Sequence, residues 1–363
     1  MKKIKIDLIL LIAVTVISIF GLIMIYSSSN IWAEYKFNDP YKYLKTQSIF
    51  LIIGYIVMII VSKIDYIKYL NKANIIFGVC FLLLILVLIP GIGTVRNGSR
   101  SWFGIGGMGI QPSEFMKLGM IIFTSKYLAY NDKLLYSIKK GVLPILIILF
   151  SIFGLIMLQP DFGTGVIIVM SIIALLFVAG VNMSFFIKLV ILGLLGLVGL
   201  IIMAPYRMER IISFVNPWSD PLGSGFQIIQ SLYAIGPGGL LGLGFGNSIQ
   251  KHFYLPEPQT DFIFAIISEE LGFMGILIVS ILFITIIYRG FKIAMGCNNL
   301  FGKYLAFGIS FILGFQTILN LMVVVGLIPV TGVTLPFLSY GGSSLIITLC
   351  SMGVLLNISK YVN

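Results

Sequence analysis

Residues 7–26 read DLILLIAVTVISIFGLIMIY, twenty positions with one charge at the leading edge. A helix needs about 20 such residues to cross about 30 Å of hydrocarbon. The run does not alternate as a barrel strand would. Lys2, Lys3 and Lys5 precede it, it is longer than the apolar part of a signal peptide, and no small-residue cleavage site follows, so it is read as a retained first span. Similar runs recur at 46–62, 73–90, 113–130, 141–158, 161–179, 184–204, 262–287, 303–327 and 335–357. Backbone polar groups in lipid must be satisfied internally, so these runs predict an all-α polytopic membrane protein of about ten transmembrane helices.

Composition leads to the same solvent. Of 363 residues, 59% are apolar and 10% charged, against about 25% charged in a soluble domain, which excludes a soluble globular enzyme. Of the 24 Lys and Arg, fifteen fall on the side of both termini, eight on the other side and Lys117 within a span. That asymmetry predicts cytoplasmic N- and C-termini. The net charge of +11 suits anionic lipid heads, and without a basic motif interleaved with aromatics no nucleic-acid partner is expected. Cys80, Cys297 and Cys350 have no ligand spacing, and His252 is the single histidine, read as a surface residue. The chain is taken as one integral membrane domain over 1–363, with a large outer loop, 205–262, between the seventh and eighth spans.

Function is expected on that outer side, because a loop of 58 residues rich in aromatic, Gly and apolar positions is neither short nor disordered in character. Within it, Gln227, Gln230 and Ser231 share one helical face and Ile228, Leu232 and Ile235 the other, as in a short helix at the membrane interface. Charges inside spans are functional hypotheses. Glu114 and Lys117, three apart, either pair to fix packing or let Lys117 serve a central cavity. Asp161 either caps the sixth span or lines a cavity. Of the adjacent Glu269 and Glu270, one is expected to pair and the other to approach a headgroup.

The segment Leu255-Pro256-Glu257-Pro258-Gln259-Thr260-Asp261-Phe262 runs into the eighth span, and its two prolines make it a rigid elbow. Asp261 then stands at a helix N-terminus, which favours its ionised form. It is read either as a base for a sugar hydroxyl or as a plain cap. Arg96 and Arg100 beside Trp102 and Phe103, with Arg207, Arg210 and Lys251, suit a pyrophosphate and a sugar, or else snorkel to lipid heads. The glycines from Gly236 to Gly246 lack the strand and Lys-Ser of a phosphate loop and are read as tight turns or close approaches. Ser339, Ser343 and Ser344 have no histidine partner for serine catalysis.

Together these motifs resemble the shape, elongation, division and sporulation (SEDS) family, that of FtsW, RodA and SpoVE, over nearly the whole chain. The marks are Gln111-Pro112-Ser113-Glu114 with Lys117; Gln159-Pro160-Asp161-Phe162-Gly163-Thr164; and the elbow with Glu269-Glu270-Leu271-Gly272-Phe273. The fourth is Pro329-Val330-Thr331-Gly332 followed by Leu335 to Ser344. Asn216-Pro217-Trp218-Ser219-Asp220-Pro221 and residues 227–232 look closer to the division and sporulation branches. Gln259 stands where the resemblance leads one to expect His, a departure that bears on any proton relay there, while Asp261 itself matches.

The resemblance implies a peptidoglycan glycosyltransferase of the bacterial cytoplasmic membrane that polymerises lipid II into glycan strands. It implies Asp261 as the catalytic acid, with Arg210, Lys117 and a divalent cation (Mg or Mn, held by Asp261 and Glu257) offsetting the pyrophosphate charge. Glu114 and Asp161 would orient the cavity and Trp102 would hold sugar; Gln259 and Ser339 complete the expected substrate contacts. A class B penicillin-binding protein and other division, elongation or sporulation membrane proteins are the implied partners. A lipid II flippase and a non-catalytic scaffold for a transpeptidase are the alternatives.

Overall fold

The computed structural model describes residues 6–96, 98–105, 108–202 and 205–362, with backbone only at some of these, among them Arg96, Arg207 and Arg210. Twelve α-helices occur among the described residues: α1 Leu8–Phe37, α2 Lys42–Lys63, α3 Ile67–Leu86, α4 Pro112–Tyr130, α5 Leu143–Met157, α6 Phe162–Val178, α7 Met183–Ile202, α8 Pro205–Val215, α9 Phe226–Ile235, α10 Ile263–Gly296, α11 Leu300–Val324 and α12 Gly342–Ser359. Ten of them coincide with the ten apolar runs; α8 and α9 lie in the outer segment.

Seven helical stretches are long and apolar enough to cross a bilayer by themselves: α1, α2, α3, Ile138–Met157 including α5, α10, α11 and α12. Phe162–Val178 and Met183–Gly196 are shorter apolar helices. The exception is α4, which carries Glu114, Lys117 and Lys126 and packs against α3, α6 and α11. Protein rather than lipid surrounds its charged pair, as intramembrane charges require. On the periphery, Leu8, Ile12, Val16, Ile19 and Ile23 form an exposed stripe along α1, the apolar surface a lipid solvent needs.

The two ends of the chain meet on one face. Asp7 caps α1 by accepting from the Leu10 N–H and pairs with Arg289 of α10 at 2.6 Å. The Asp7 N–H donates to Ser359 Oγ at the end of α12. Nearby, Asn357 accepts from the Tyr66 N–H and donates to the Ser62 carbonyl. Both termini therefore share a side, as an even number of crossings demands.

Three features depart from the pattern of ten plain spans. The outer stretch between the third and fourth spans contains a three-stranded antiparallel meander, β1 Thr94–Arg96, β2 Ser99–Ile105 and β3 Met108–Ile110. A segment resting on a membrane protein must still pair its backbone groups, and short strands do so where glycines interrupt any helix. The tenth span starts at Gly342, not 335: Leu335–Tyr340 is a compact turn in which the Leu335 N–H donates to Ser339 Oγ, with Phe337 at φ 64°. The eighth span is broken at Gly272 (φ 61°, ψ −156°).

Candidate active site

The break in α10 organises the outer side. At a helix interruption the carbonyls of one half and the N–H groups of the next lose their partners. Residues 236–251 supply them. The Leu243 and Gly244 N–H groups donate to the Glu269 and Glu270 carbonyls at 2.9 and 3.0 Å, and the Phe273 and Met274 N–H groups donate to the Gly239 and Leu240 carbonyls at 2.9 and 3.1 Å. A Cβ at Gly242 would overlap the Glu270 carbonyl, and one at Gly272 would overlap the Gly242 nitrogen. The glycine run thus serves close backbone approach, as read from the sequence.

The side chains of the two acids complete the clamp. Glu269 accepts from Ser248 Oγ at 2.5 Å and from the Ile249 N–H at 2.9 Å. Glu270 accepts from Ser27 Oγ of α1 at 2.7 and 2.6 Å and pairs with Lys251 at 3.2 Å. Both carboxylates are fully buried, so the expectation that one approaches a headgroup is corrected. Lys251 is also corrected: it is buried, held by Glu270 and by the Gly246 carbonyl, and does not project toward a substrate phosphate or a lipid head. α9 forms where the amphipathic pattern placed it, but Ser231 is buried and donates to the Val324 carbonyl, and Leu232 is exposed.

Just upstream lies the elbow. Glu257 is exposed at φ 43° and its carbonyl accepts from the Thr260 N–H and hydroxyl at 3.0 and 2.7 Å, closing a tight turn. Gln259 is buried and its carbonyl accepts from the Tyr340 N–H at 2.8 Å, tying the elbow to the turn before α12. Asp261 is half-buried, and its Oδ1 accepts from Thr260 Oγ1 at 2.9 Å. The N-cap position of α10 is Phe262, one residue beyond Asp261.

What positions Asp261 is Asn320 of α11. Its Nδ2 donates to the Asp261 carbonyl and to the Val333 carbonyl, each at 2.7 Å. One turn earlier on α11, Gln316 accepts from Lys117 Nζ at 2.8 Å and donates to the Thr334 carbonyl at 2.9 Å. Lys117 pairs with Glu114 at 2.8 Å, both buried, and lines with Gln316 a small cavity of about 30 Å³ between α4, α11 and α12. The first reading of Lys117, an internal pair that fixes packing, is the one this geometry shows.

Residues 331–334 join these parts to Asp161. Thr331 and Val333 pack against Gly163 in the first turn of α6. Asp161 caps that helix through the Thr164 N–H at 3.2 Å and accepts from Gln111 Nε2 at 3.0 Å and Ser113 Oγ at 3.2 Å. The elbow, the Glu114–Lys117 pair and Asp161 therefore meet around one short segment.

The meander covers this region. Ser99 Oγ donates to the Gln159 carbonyl beside Asp161, and Ser343 Oγ donates to the Gly109 carbonyl at 3.0 Å. Trp102 and Arg100 are half-buried on β2, with Trp102 opposite Thr94 and Arg100 opposite Val95. The side chains of Arg96, Arg207 and Arg210 lie outside the described residues. Ser339 is buried with its hydroxyl engaged by the Leu335 N–H, an internal role where a substrate contact was expected. Gln316 and Asn320 went unread in the sequence. Two amides four apart in an apolar span lie on one helical face, and that spacing was the available signal. Among the described residues no three His, Cys, Asp or Glu side chains gather into a metal-holding group.

The comparisons agree with this geometry. The FtsW/RodA/SpoVE model, described as a cell cycle protein, matches residues 7–363, so the chain belongs to that family. It is 54% identical over 360 residues to stage V sporulation protein E of Bacillus subtilis (strain 168), covering 99% of this chain and 98% of that one. It is 40% identical to the probable peptidoglycan glycosyltransferase FtsW of Geobacter sp. (strain M18), covering 97% and 96%. Among solved structures it superposes on a chain of a peptidoglycan synthase complex with TM-score 0.79 and 31% identity, covering 99% of both. The rod shape determining protein RodA of Thermus thermophilus gives TM-score 0.70 and 28% identity, covering 98% and 97%.

Proposed function

We propose that the chain, acting as one integral domain of the bacterial cytoplasmic membrane, is a peptidoglycan glycosyltransferase that polymerises lipid II at the outer face. Its side opposite the termini carries the elbow, and no nucleotide pool exists there, so the donor must arrive already activated, as a lipid pyrophosphate is. The observation that carries the reading is Asp261: a half-buried carboxylate beside the start of α10, with its backbone fixed by Asn320.

Asp261 takes the proton of the acceptor GlcNAc 4-hydroxyl as that oxygen attacks the donor anomeric carbon. The bond to undecaprenyl pyrophosphate breaks on the opposite face, giving inversion. Lys117 and Arg210 offset the charge that develops on the leaving pyrophosphate. Asp161 and Glu114 hold the cavity wall, and Trp102 offers a face for sugar. Asp261 and Glu257 are the elbow carboxylates that would hold a divalent cation, Mg or Mn, which would supply positive charge against the pyrophosphate. The partner class is a class B penicillin-binding protein, supported by the likeness to a synthase-complex chain.

The test is purified protein with lipid II in detergent. A polymerase yields glycan strands without any second compartment, and the Asp261→Asn variant yields none. A flippase or scaffold yields nothing in either case, and that result rejects the reading.

A further inference from the structure

Outside the elbow, the outer end of α1 carries an aromatic cluster that the mechanism does not use. Trp32 and Tyr35 of α1 and Phe253 of the outer segment contact one another with ring centroids 5.3 to 6.2 Å apart. The Lys36 ammonium lies 5.4 Å from the Trp32 ring and 5.7 Å from the Phe37 ring. Phe37 in turn meets Tyr43 of α2 at 6.0 Å, and Tyr43 meets Tyr340 at 4.8 Å. Tyr340 is the residue whose N–H is bonded to Gln259, two positions from Asp261. Two groups of rings, Trp32–Tyr35–Phe253 and Phe37–Tyr43–Tyr340, bridged by the Lys36 ammonium, thus make a row from the exposed edge of α1 to the elbow.

The bland reading is the aromatic belt found at membrane interfaces. The placement argues against it. α1 has 30 residues, or about 45 Å of helix, and its lipid-facing stripe ends at Ile23. About 20 residues cover the hydrocarbon, so Trp32 to Phe37 stand roughly 7–15 Å above it. There Tyr35 and Phe37 lie among exposed Glu34, Lys36 and Asn38, a polar surface at and beyond the outer edge of a headgroup layer of about 5–8 Å.

We infer that this row is a carbohydrate-binding track that holds the growing glycan strand as it leaves Asp261. The inference rests on the glycosyltransferase reading. Aromatic faces pack on the C–H faces of pyranose rings, and the interleaved Glu34, Lys36 and Asn38 offer partners to sugar hydroxyls and, for Lys36, to carboxylates on the peptide stems. A partner protein would favour a contiguous apolar patch with charge at its rim, whereas here the Lys36 ammonium sits between the Trp32 and Phe37 rings. Continuity with the elbow also points to the product of the reaction.

The experiment uses the full-length Asp261→Asn protein in detergent, titrated with chitohexaose as the β-1,4-linked probe while tryptophan fluorescence is followed. A saturable change is expected, lost on Trp32→Phe and shifted at least tenfold to higher concentration by Tyr35→Ala with Phe253→Ala. Tyr35→Phe with Phe253→Tyr should keep it. In the lipid II assay, the double alanine variant of the otherwise native chain should give strands severalfold shorter. If the double alanine chain fails to fold, the titration with and without Trp32→Phe still decides. No saturable change, a change independent of Trp32, or unaltered strand length overturns the track. Loss of a co-purifying transpeptidase with probe binding intact also overturns it, in favour of a protein-docking surface. Strand synthesis by the native chain without probe binding sinks the track alone; no synthesis at all sinks the enzymatic reading.

Discussion

Two pairs of acids lie within about a dozen residues at the outer end of α10 and have opposite surroundings. Glu269 and Glu270 are fully buried, and each accepts several hydrogen bonds that tie residues 242–251 and α1 to the broken helix. Glu257 and Asp261 stand on the elbow, one exposed and one half-buried. The difference teaches which carboxylates shape the site and which can do chemistry. The buried pair is built into the clamp around Gly272, whereas Asp261 stands half-buried on the elbow with its backbone carbonyl anchored by Asn320.

Four substitutions probe that contrast. Asp261→Asn should lower the rate of lipid II polymerisation by about 10²–10⁴-fold or more, while thermal unfolding in detergent stays at the native midpoint; retained polymerisation would reject the base. Lys251→Met should do the reverse. It leaves Glu270 buried without its cation, a defect of about 3–5 kcal/mol, read as a lower unfolding midpoint and faster proteolysis of the 236–251 segment. A native midpoint would show that the clamp is not structural. Asn320→Leu removes the donor shared by the Asp261 and Val333 carbonyls, so about 1–3 kcal/mol of desolvation cost falls on each carbonyl. The expected outcome is a drop in kcat larger than the change in KM, distinguishing a positioning residue from a merely structural one. Glu257→Gln is the smallest: an exposed side chain should change stability by no more than about 0.5 kcal/mol, and polymerisation that is independent of this substitution would confirm that Asp261 works without a second elbow carboxylate.

Much of the site was legible because its parts are costly in a membrane. Glu114, Lys117 and Asp161 stand out in apolar runs, and Pro256 and Pro258 announce the elbow before Asp261. What stayed hidden is informative. Lys251 reads as one more outer cation, and only the fold reveals that it is buried against Glu270. Ser339 sits in a conspicuous motif, yet its hydroxyl serves a turn. Gln316 and Asn320 look unremarkable until α11 is placed beside the 331–334 segment, where four carbonyl and ammonium partners converge on them.

Hydropathy alone determined the solvent, the helical class and the places where the chain crosses, because burying a backbone in hydrocarbon leaves almost no alternative to a helix of about 20 residues. It could not determine where a helix would be broken and repaired by another segment, as at Gly272, nor which of several acids would be saturated. Those outcomes depend on distances between residues hundreds of positions apart, such as Ser27 and Glu270. The residue types settled what chemistry was available; packing decided which carboxylates were tied into the clamp around Gly272.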